Sequence, residues 1–354
     1  MYGIDRVSCW QLQCFNEPDI AYFFMSELPE NAESVPARLA EYCKMYEAFQ
    51  IGVRRVTERI SIGGPALARF HEFLGGFLDF VRERELKLDF ISVHNYGTSV
   101  LELNSGRKPL SVMNNVRKHE AYVSTVEKHG FGDIPLVVDE WGASAQGFYN
   151  IEECPALLFR ETEVFSSYFT KMIYEFIERE FRMSKLIICL SGQHEMTEDF
   201  SGFRNFFTLN FIAKPIYNAN ILSGYLRNKL VSYEHSCENL YVIPSTDGEG
   251  SYGVMLTYSE ELFGEELPEI DEELSFEEII EGKRVEIYCI DKSNNNPYRT
   301  AERLGIGSHP TDDEIRLLRE EGRLKPQSVF TAGKDCRIPL KLTANCTYFV
   351  KIEG

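Results

Sequence analysis

Residues 135–144, Pro-Leu-Val-Val-Asp-Glu-Trp-Gly-Ala-Ser, decide how this chain is read. Leu136, Val137 and Val138 form a short apolar run that suits a strand covered on both faces, as parallel sheets require. Asp139, Glu140 and Trp141 follow at once. Carboxylates cannot follow such a run into a core without a large desolvation cost, so the chain must reach a mouth or cleft there. An acid and an indole at a strand's C-terminal end suit a sugar site, with a carboxylate for chemistry and an aromatic face for the ring. The plainer reading is a strand leaving its sheet with a helix-capping acid behind it. On this segment alone the plainer reading weighs more, because short matches arise by accident.

Residues 9–20, Cys-Trp-Gln-Leu-Gln-Cys-Phe-Asn-Glu-Pro-Asp-Ile, repeat the layout. A strand-like run from Trp10 to Phe15 ends in Asn16 and Glu17, and Pro18 has no N–H to continue the pairing. Two carboxylates, each at the end of a buried strand, are the minimal apparatus of a glycosidase. One must be protonated as general acid and the other ionised as nucleophile or base, a division that burial and neighbouring charge can produce.

The rest of the chain supplies more strand–helix units. A helix from about Pro36 carries Leu39, Tyr42, Tyr46, Phe49, Val53 and Val56 on one stripe. A strand at Ile60–Ile62 runs into Gly63-Gly64-Pro65-Ala66, where two glycines permit close backbone approach. A helix over Phe70–Arg84 precedes a strand at Asp89–Tyr96. His94 and Tyr96, two residues apart, lie on the same side while the chain is extended. A lone histidine is more often a satisfied structural one, and the place of His94 at a strand end beside Tyr96 brings the functional reading level with that. Helices follow at Val112–Lys128 and Pro155–Arg182, a fifth strand at Lys185–Leu190, and a helix from Pro215 through Leu226. Polar clusters at strand C-terminal ends, between alternating helices, are the pattern of a (β/α)8 TIM barrel. Only five of its eight strands are found. From about residue 227 the periodicity changes to two, with strands at Leu240–Ile243, Tyr252–Tyr258, Arg284–Ile290, Arg337–Leu342 and Tyr348–Ile352 and a capped helix at Thr311–Glu321. The expected organisation is an α/β barrel over residues 1–226 and an antiparallel, sandwich-like β domain over 227–354.

The 37 Lys and Arg against 55 Asp and Glu give a net charge of −18, which argues against nucleic acid or an anionic membrane as partner. Much of the excess lies in Glu260–Glu281, read as a solvated surface segment. No apolar run approaches the roughly 20 residues of a membrane span. The first residues lack the basic and apolar regions of a signal peptide, and nine cysteines without CxxC spacing fit reduced thiols, so a cytoplasmic location is expected. No HExxH, Walker, EF-hand or G-x-S-x-G motif is present. Gln193-His194-Glu195 offers two adjacent ligands without a third.

Phe15-Asn16-Glu17-Pro18-Asp19, Gly63-Gly64-Pro65-Ala66, Asp89 through His94 and Asp139-Glu140-Trp141 together resemble glycoside hydrolase family 39, which includes bacterial β-xylosidases. In the tail, Tyr288–Asp291, Asn294 to Gly305, and Pro310-Thr311 through Leu324 are similar to the family's C-terminal pattern. The resemblance implies a retaining, double-displacement enzyme acting on β-linked xylosides or xylo-oligosaccharides. Glu17 would be the acid/base, at the end of the fourth barrel strand, and Glu140 the nucleophile, at the end of the seventh. It implies that Asn16 bonds the sugar 2-hydroxyl and that His94, Tyr96 and Trp141 line the pocket, with no metal or organic cofactor. Where the family usually has an aromatic residue and an acid on its eighth strand, this sequence has Ile188 and Gly192. Family barrels also begin well before the Asn-Glu-Pro strand, so strands four to eight are expected here. The missing strands would come from a longer product, a second copy or a partner chain. The alternative reading is a truncated, catalytically impaired member that binds sugar or a partner chain without turnover.

Overall fold

A computed structural model describes residues 2–264 and 267–354. The chain forms two compact units, the first comprising Met1–Tyr96, Met113–Gly142 and Glu180–Cys189, the second Gly97–Val112, Ala143–Arg179 and Leu190–Gly354.

The elements through the first unit's strands are α1 (Ile4–Val7), β1 (Gln11–Gln13), α2 (Val35–Arg54), β2 (Ser61–Leu67), α3 (His71–Glu83), β3 (Phe90–Thr98), α4 (Val100–Asn104), α5 (Val112–Lys128), β4 (Leu136–Ser144), α6 (Glu163–Glu178) and β5 (Lys185–Ile188). The five strands make one sheet in sequence order, β1-β2-β3-β4-β5, with parallel pairing. Sequential neighbours joined through helices are the βαβ arrangement expected of half a barrel. The sheet's two edge strands are also linked by side chains, Lys185 Nζ on β5 donating to Gln11 Oε1 on β1.

Helices α2 and α3 pack through aromatic rings, Tyr46 meeting Phe77 edge-on at 4.9 Å and Tyr42 meeting Phe77 at 5.4 Å. The buried hydroxyls are satisfied by backbone, Tyr42 donating to Cys14 O at 3.0 Å and Tyr46 to Lys87 O at 2.8 Å. Gly63 is required by contact: a Cβ there would lie 2.3 Å from Phe90 O.

The second unit continues with α7 (Pro215–Ser223), β6 (Lys229–Leu230), β7 (Leu240–Thr246), β8 (Tyr252–Tyr258), β9 (Ile270–Ser275), β10 (Arg284–Ile290), α8 (Pro297–Leu304), α9 (Asp312–Gly322), β11 (Pro326–Thr331), β12 (Arg337–Leu342) and β13 (Cys346–Glu353). A six-stranded antiparallel sheet, β11-β10-β13-β8-β7-β6, faces the β12-β9 pair. Alternation sorts its residues. Tyr252, Val254, Leu256 and Tyr258, with Cys346, Tyr348, Val350 and Ile352, join the apolar core that also holds Ile338, Leu340 and Leu342 of β12. The intervening Thr257 and Thr347 point to α6, pairing with Ser167 at 2.6 Å and Thr170 at 3.2 Å.

Three expectations are corrected. The helix over 155–182 is two: a 3-10 turn at Pro155–Glu161, then α6. Thr162 between them is extended, and its hydroxyl accepts from Val164 N–H, an N-cap that competes with continuing the first helix. Within the acidic run, Ile270–Ser275 is a strand in register with β12, its odd-even burial hidden by charge on the outer face. Glu265 and Glu266 of that run lie outside the described residues. Helix α8 is absent from the expected elements, although Asn296 caps its start and Gly305, at φ 69°, its end.

Candidate active site

The loop after β1 carries two residues in the left-handed region, Phe15 (φ 69°) and Glu17 (φ 50°). Residues with side chains seldom occupy this region unless their surroundings hold them there. Glu17 N–H donates to Ala66 O at 3.1 Å. Ala66, at φ 56°, marks the point where β2 slips register against β3, and its own N–H donates to Ser92 Oγ at 2.9 Å. Two residues beyond Glu17, the buried Asp19 accepts from the amides of Ala68, Arg69 and Phe70 at 3.0, 2.7 and 2.9 Å. Burial raises the Asp19 carboxyl above its ordinary value, and the three N–H groups offset part of that. The loop is thereby tied to the start of α3.

Strand β3 aims alternate residues in opposite directions. Asn95 is locked against α5, donating to Asn115 O at 3.1 Å and accepting at Oδ1 from Asn115 at 3.1 Å. His94 and Tyr96 take the other side. His94 is fully buried, and its carbonyl accepts from Tyr122 Oη at 3.0 Å.

Strand β4 is in register with β5 at Val137–Lys185 and Val138–Leu186, then slips so that Trp141 meets Ile188. The extra residue falls at Asp139–Glu140. Adjacent residues of a regular strand face opposite sides, and a bulge re-aims them. Both carboxylates therefore reach one imidazole, Asp139 Oδ1 lying 3.7 Å from His94 Nε2 and Glu140 Oε2 3.5 Å from His94 Nδ1.

At the centre, His94 Nδ1 and Glu17 Oε1 are 2.8 Å apart, and Tyr96 donates its hydroxyl proton to Glu140 Oε2 at 2.6 Å. One ligand atom from each of Glu17, His94 and Glu140 lies within 4.8 Å of the others. Burial alone would depress the His94 pKa. The hydrogen bond that Nδ1–H makes to Glu17 and the charges of Glu140 and Asp139 outweigh it, so the imidazolium is favoured above the ordinary histidine value. Asp139 is pushed up to about 6 by burial, with His94 and a hydrogen bond from Gln13 acting the other way. The three central side chains could hold a divalent cation only by giving up the His94–Glu17 hydrogen bond. The arrangement as it stands places two carboxylates and an imidazole within reach of proton exchange.

Glu17, His94, Tyr96 and Glu140 thus converge. Asn16 is exposed on the loop immediately before Glu17. Trp141 is 1% exposed, its ring enclosed by protein, because the bulge uses Asp139 and Glu140 for the cluster and returns Trp141 to pairing with β5. Two members of the cluster had no assigned role in the sequence. Asp139 was adjacent to Glu140, but regular alternation would have sent it away. Gln13 carried no signal, since its partner lies 126 residues on.

The second unit holds a separate cavity of about 490 Å³ that shares no lining residue with this cluster. It lies among α7, the end of α9 and strands β10 and β11, and Tyr217, Tyr225 and Tyr288 are part of its wall. The carboxylate chemistry is in the first unit, not there.

Among curated proteins, a β-xylosidase of Geobacillus stearothermophilus is 28% identical over 156 residues, covering 40% of this chain and 28% of the relative. A β-xylosidase of Caldicellulosiruptor saccharolyticus is 22% identical over 337 residues, covering 93% of this chain and 64% of the relative. The chain therefore spans less than two thirds of the length of these relatives. Among solved structures, a monomeric β-xylosidase from Caulobacter crescentus CB15 superposes with a TM-score of 0.77 at 15% identity, over 99% of this chain and 71% of that one. A family 39 enzyme from Xanthomonas axonopodis pv. citri gives 0.74 at 14%, over 99% and 70%. At such identities these superpositions establish a shared fold. No helix among the described residues is long and apolar enough to cross a membrane. The sequence profile of glycosyl hydrolases family 39 matches residues 1–333, nearly the whole of the polypeptide, and the chain belongs to that family.

Proposed function

We propose that the chain carries the carboxylate pair of a retaining glycoside hydrolase acting on β-linked xylosides and xylo-oligosaccharides. Glu17 is the acid/base and Glu140 the nucleophile. The observation that carries this reading is the spacing of the pair, with an oxygen of each within 4.8 Å of the other and of His94. Retaining enzymes hold their carboxyl groups about 5–5.5 Å apart, whereas inverting ones leave about 6.5–9.5 Å for a water. Tyr96 donates to Glu140 and holds its carboxylate in place, and Glu140 attacks the anomeric carbon as the leaving group departs. His94 Nδ1 and Glu17 Oε1 are within hydrogen-bond distance, so a proton can pass through Glu17 to the leaving oxygen and one from the attacking water can return the same way. Asn16, next to Glu17, bonds the 2-hydroxyl, a contact that strengthens in the oxocarbenium-like transition state. The reaction needs these side chains and water.

The names of the curated relatives support xylosides as the substrate class. Hydrolysis of p-nitrophenyl β-D-xyloside tests the reading. Glu140→Ala is expected to lower kcat by roughly 10⁴-fold or more, and Glu17→Ala by about 10²–10⁴-fold. Either variant turning over at the wild-type rate would remove that residue from its role.

A second reading, sugar or partner-chain binding without turnover by an incomplete barrel, is favoured by two observations. The five-stranded sheet leaves β1 and β5 as edges, with Trp10, Phe15 and Ile187 exposed beside them, and the Trp141 ring is enclosed. Under this reading the wild-type chain binds xylobiose but releases no p-nitrophenol.

A further inference from the structure

Three carboxylates converge on His94, and the proposed bond cleavage uses only two of them. His94 Nδ1 faces that working pair, Glu17 Oε1 at 2.8 Å and Glu140 Oε2 at 3.5 Å. Its other nitrogen, Nε2, faces Asp139 Oδ1 at 3.7 Å. These last two atoms are both closed to solvent, and neither has a hydrogen-bond partner among the described residues. A buried donor or acceptor left unmatched is costly, and each of the two is the nearest match for the other. The 3.7 Å separation is longer than a hydrogen bond, as contacts in active sites often are before substrate binds.

The charges around the ring leave its second proton to Asp139. Among the described residues, His94 is the sole cationic side chain paired with Glu17, Asp139 or Glu140. The other polar neighbours carry no charge: Tyr96 donates to Glu140, Tyr122 to the His94 carbonyl, and Gln13 hydrogen-bonds Asp139. A neutral imidazole has one N–H and one lone pair. With the proton on Nδ1, the Nε2 lone pair would point at the Asp139 carboxylate. With the proton on Nε2, the Nδ1 lone pair would point at the two working carboxylates. The imidazolium alone satisfies both sides, and ionised Asp139 is what holds its Nε2 proton.

The backbone makes this placement. Regular alternation along β4 would turn Asp139 away from Glu140, and the register slip between Val138 and Trp141 brings both to one ring.

We propose that Asp139 is a positioning residue of the hydrolase, acting on Glu17 through His94. It accepts from Nε2–H, and the ring keeps Nδ1–H turned to the Glu17 carboxyl group. This role rests on the hydrolase reading. In the first step the glycosidic C–O bond breaks, the Glu140–carbon bond forms and the Glu17 proton goes to the leaving oxygen. Nδ1–H stabilises the Glu17 carboxylate left behind. In the second step water attacks the same carbon, the bond to Glu140 breaks and Glu17 takes the water's proton.

Two β-xylosides with different leaving groups separate this role from a structural one. Dinitrophenolate departs unaided, whereas the sugar leaving from xylobiose must be protonated. Asp139→Asn keeps the shape and removes the charge. Its kcat/KM on xylobiose is expected to fall roughly tenfold or more, and on 2,4-dinitrophenyl β-D-xyloside by less than about twofold. Nitrogen-15 spectra of the histidine-labelled chain at about pH 6.5 need no turnover. The His94 ring, assigned by its loss in His94→Gln, is expected to carry N–H on both nitrogens in the wild type and on one in Asp139→Asn. A wild-type ring with a single N–H overturns the proposal, as does a ring unchanged in Asp139→Asn. Cleavage of xylobiose that is not selectively lowered removes the Asp139 role alone. A wild-type chain that cleaves neither xyloside removes the hydrolase reading, and this role with it.

Discussion

At the residue scale the cluster is an exercise in shared protons. Tyr96 makes a short hydrogen bond to the Glu140 carboxylate, so Tyr96→Phe removes a donor to a charged group. Such a bond contributes about 1.5–3 kcal/mol, and kcat/KM on an aryl xyloside is expected to fall roughly ten- to a hundredfold, with the variant's melting temperature near that of wild type. His94 has a different dependence. Its folded pKa lies above the ordinary histidine value, so the pairing energy is fully present below about pH 6.5. It is lost as pH rises through the folded value. Urea titrations should therefore show His94→Gln costing more at pH 5.5 than at pH 8.5, and equal costs would contradict a charged His94. Asp139, ionising near pH 6, supports the imidazolium. In Asp139→Asn the alkaline limb of the kcat/KM profile should move to lower pH.

At the scale of elements, backbone contacts decide more than side-chain identity. Gly63 sits in β2 where a methyl group would meet the carbonyl oxygen of Phe90 at 2.3 Å, and a backbone atom cannot step aside. Gly63→Ala is expected to destabilise the chain by about 1–3 kcal/mol or more through overpacking. Gly52, inside α2, has nothing within 4 Å of the position a methyl group would take, so Gly52→Ala should stabilise by about 0.5–1 kcal/mol. Thermal melts of the two variants should move in opposite directions. The same scale explains why the helices were legible and the bulges were not. The stripe Leu39, Tyr42, Tyr46 announces α2, whereas the slips at Ala66 and at Asp139–Glu140 exist only relative to the neighbouring strand.

At the scale of the whole molecule, the open edges of the five-stranded sheet are set against net charge. Unpaired edges invite pairing between copies, while a charge of −18 keeps copies apart over about a Debye length, roughly 10 Å at 0.1 M salt. Light scattering should therefore detect little association in dilute buffer and more at about 0.5 M sodium chloride, where screening is stronger. Association that is independent of salt would mean the edges are not the contact.

The strand-and-helix order, the period-two β region, the family and the segments that bring Glu17 and Glu140 to strand ends were all legible in the residues, because each rests on local pattern or on a short motif. Alternation alone also sufficed to put His94 and Tyr96 on one side of β3. The recruitment of Asp139 and Gln13, the enclosure of Trp141, the strand inside the acidic run and the cavity of the second unit were decided only by the tertiary structure. Each depends on where a distant strand or helix comes to lie, and a one-residue slip in register reverses the face that a local pattern assigns.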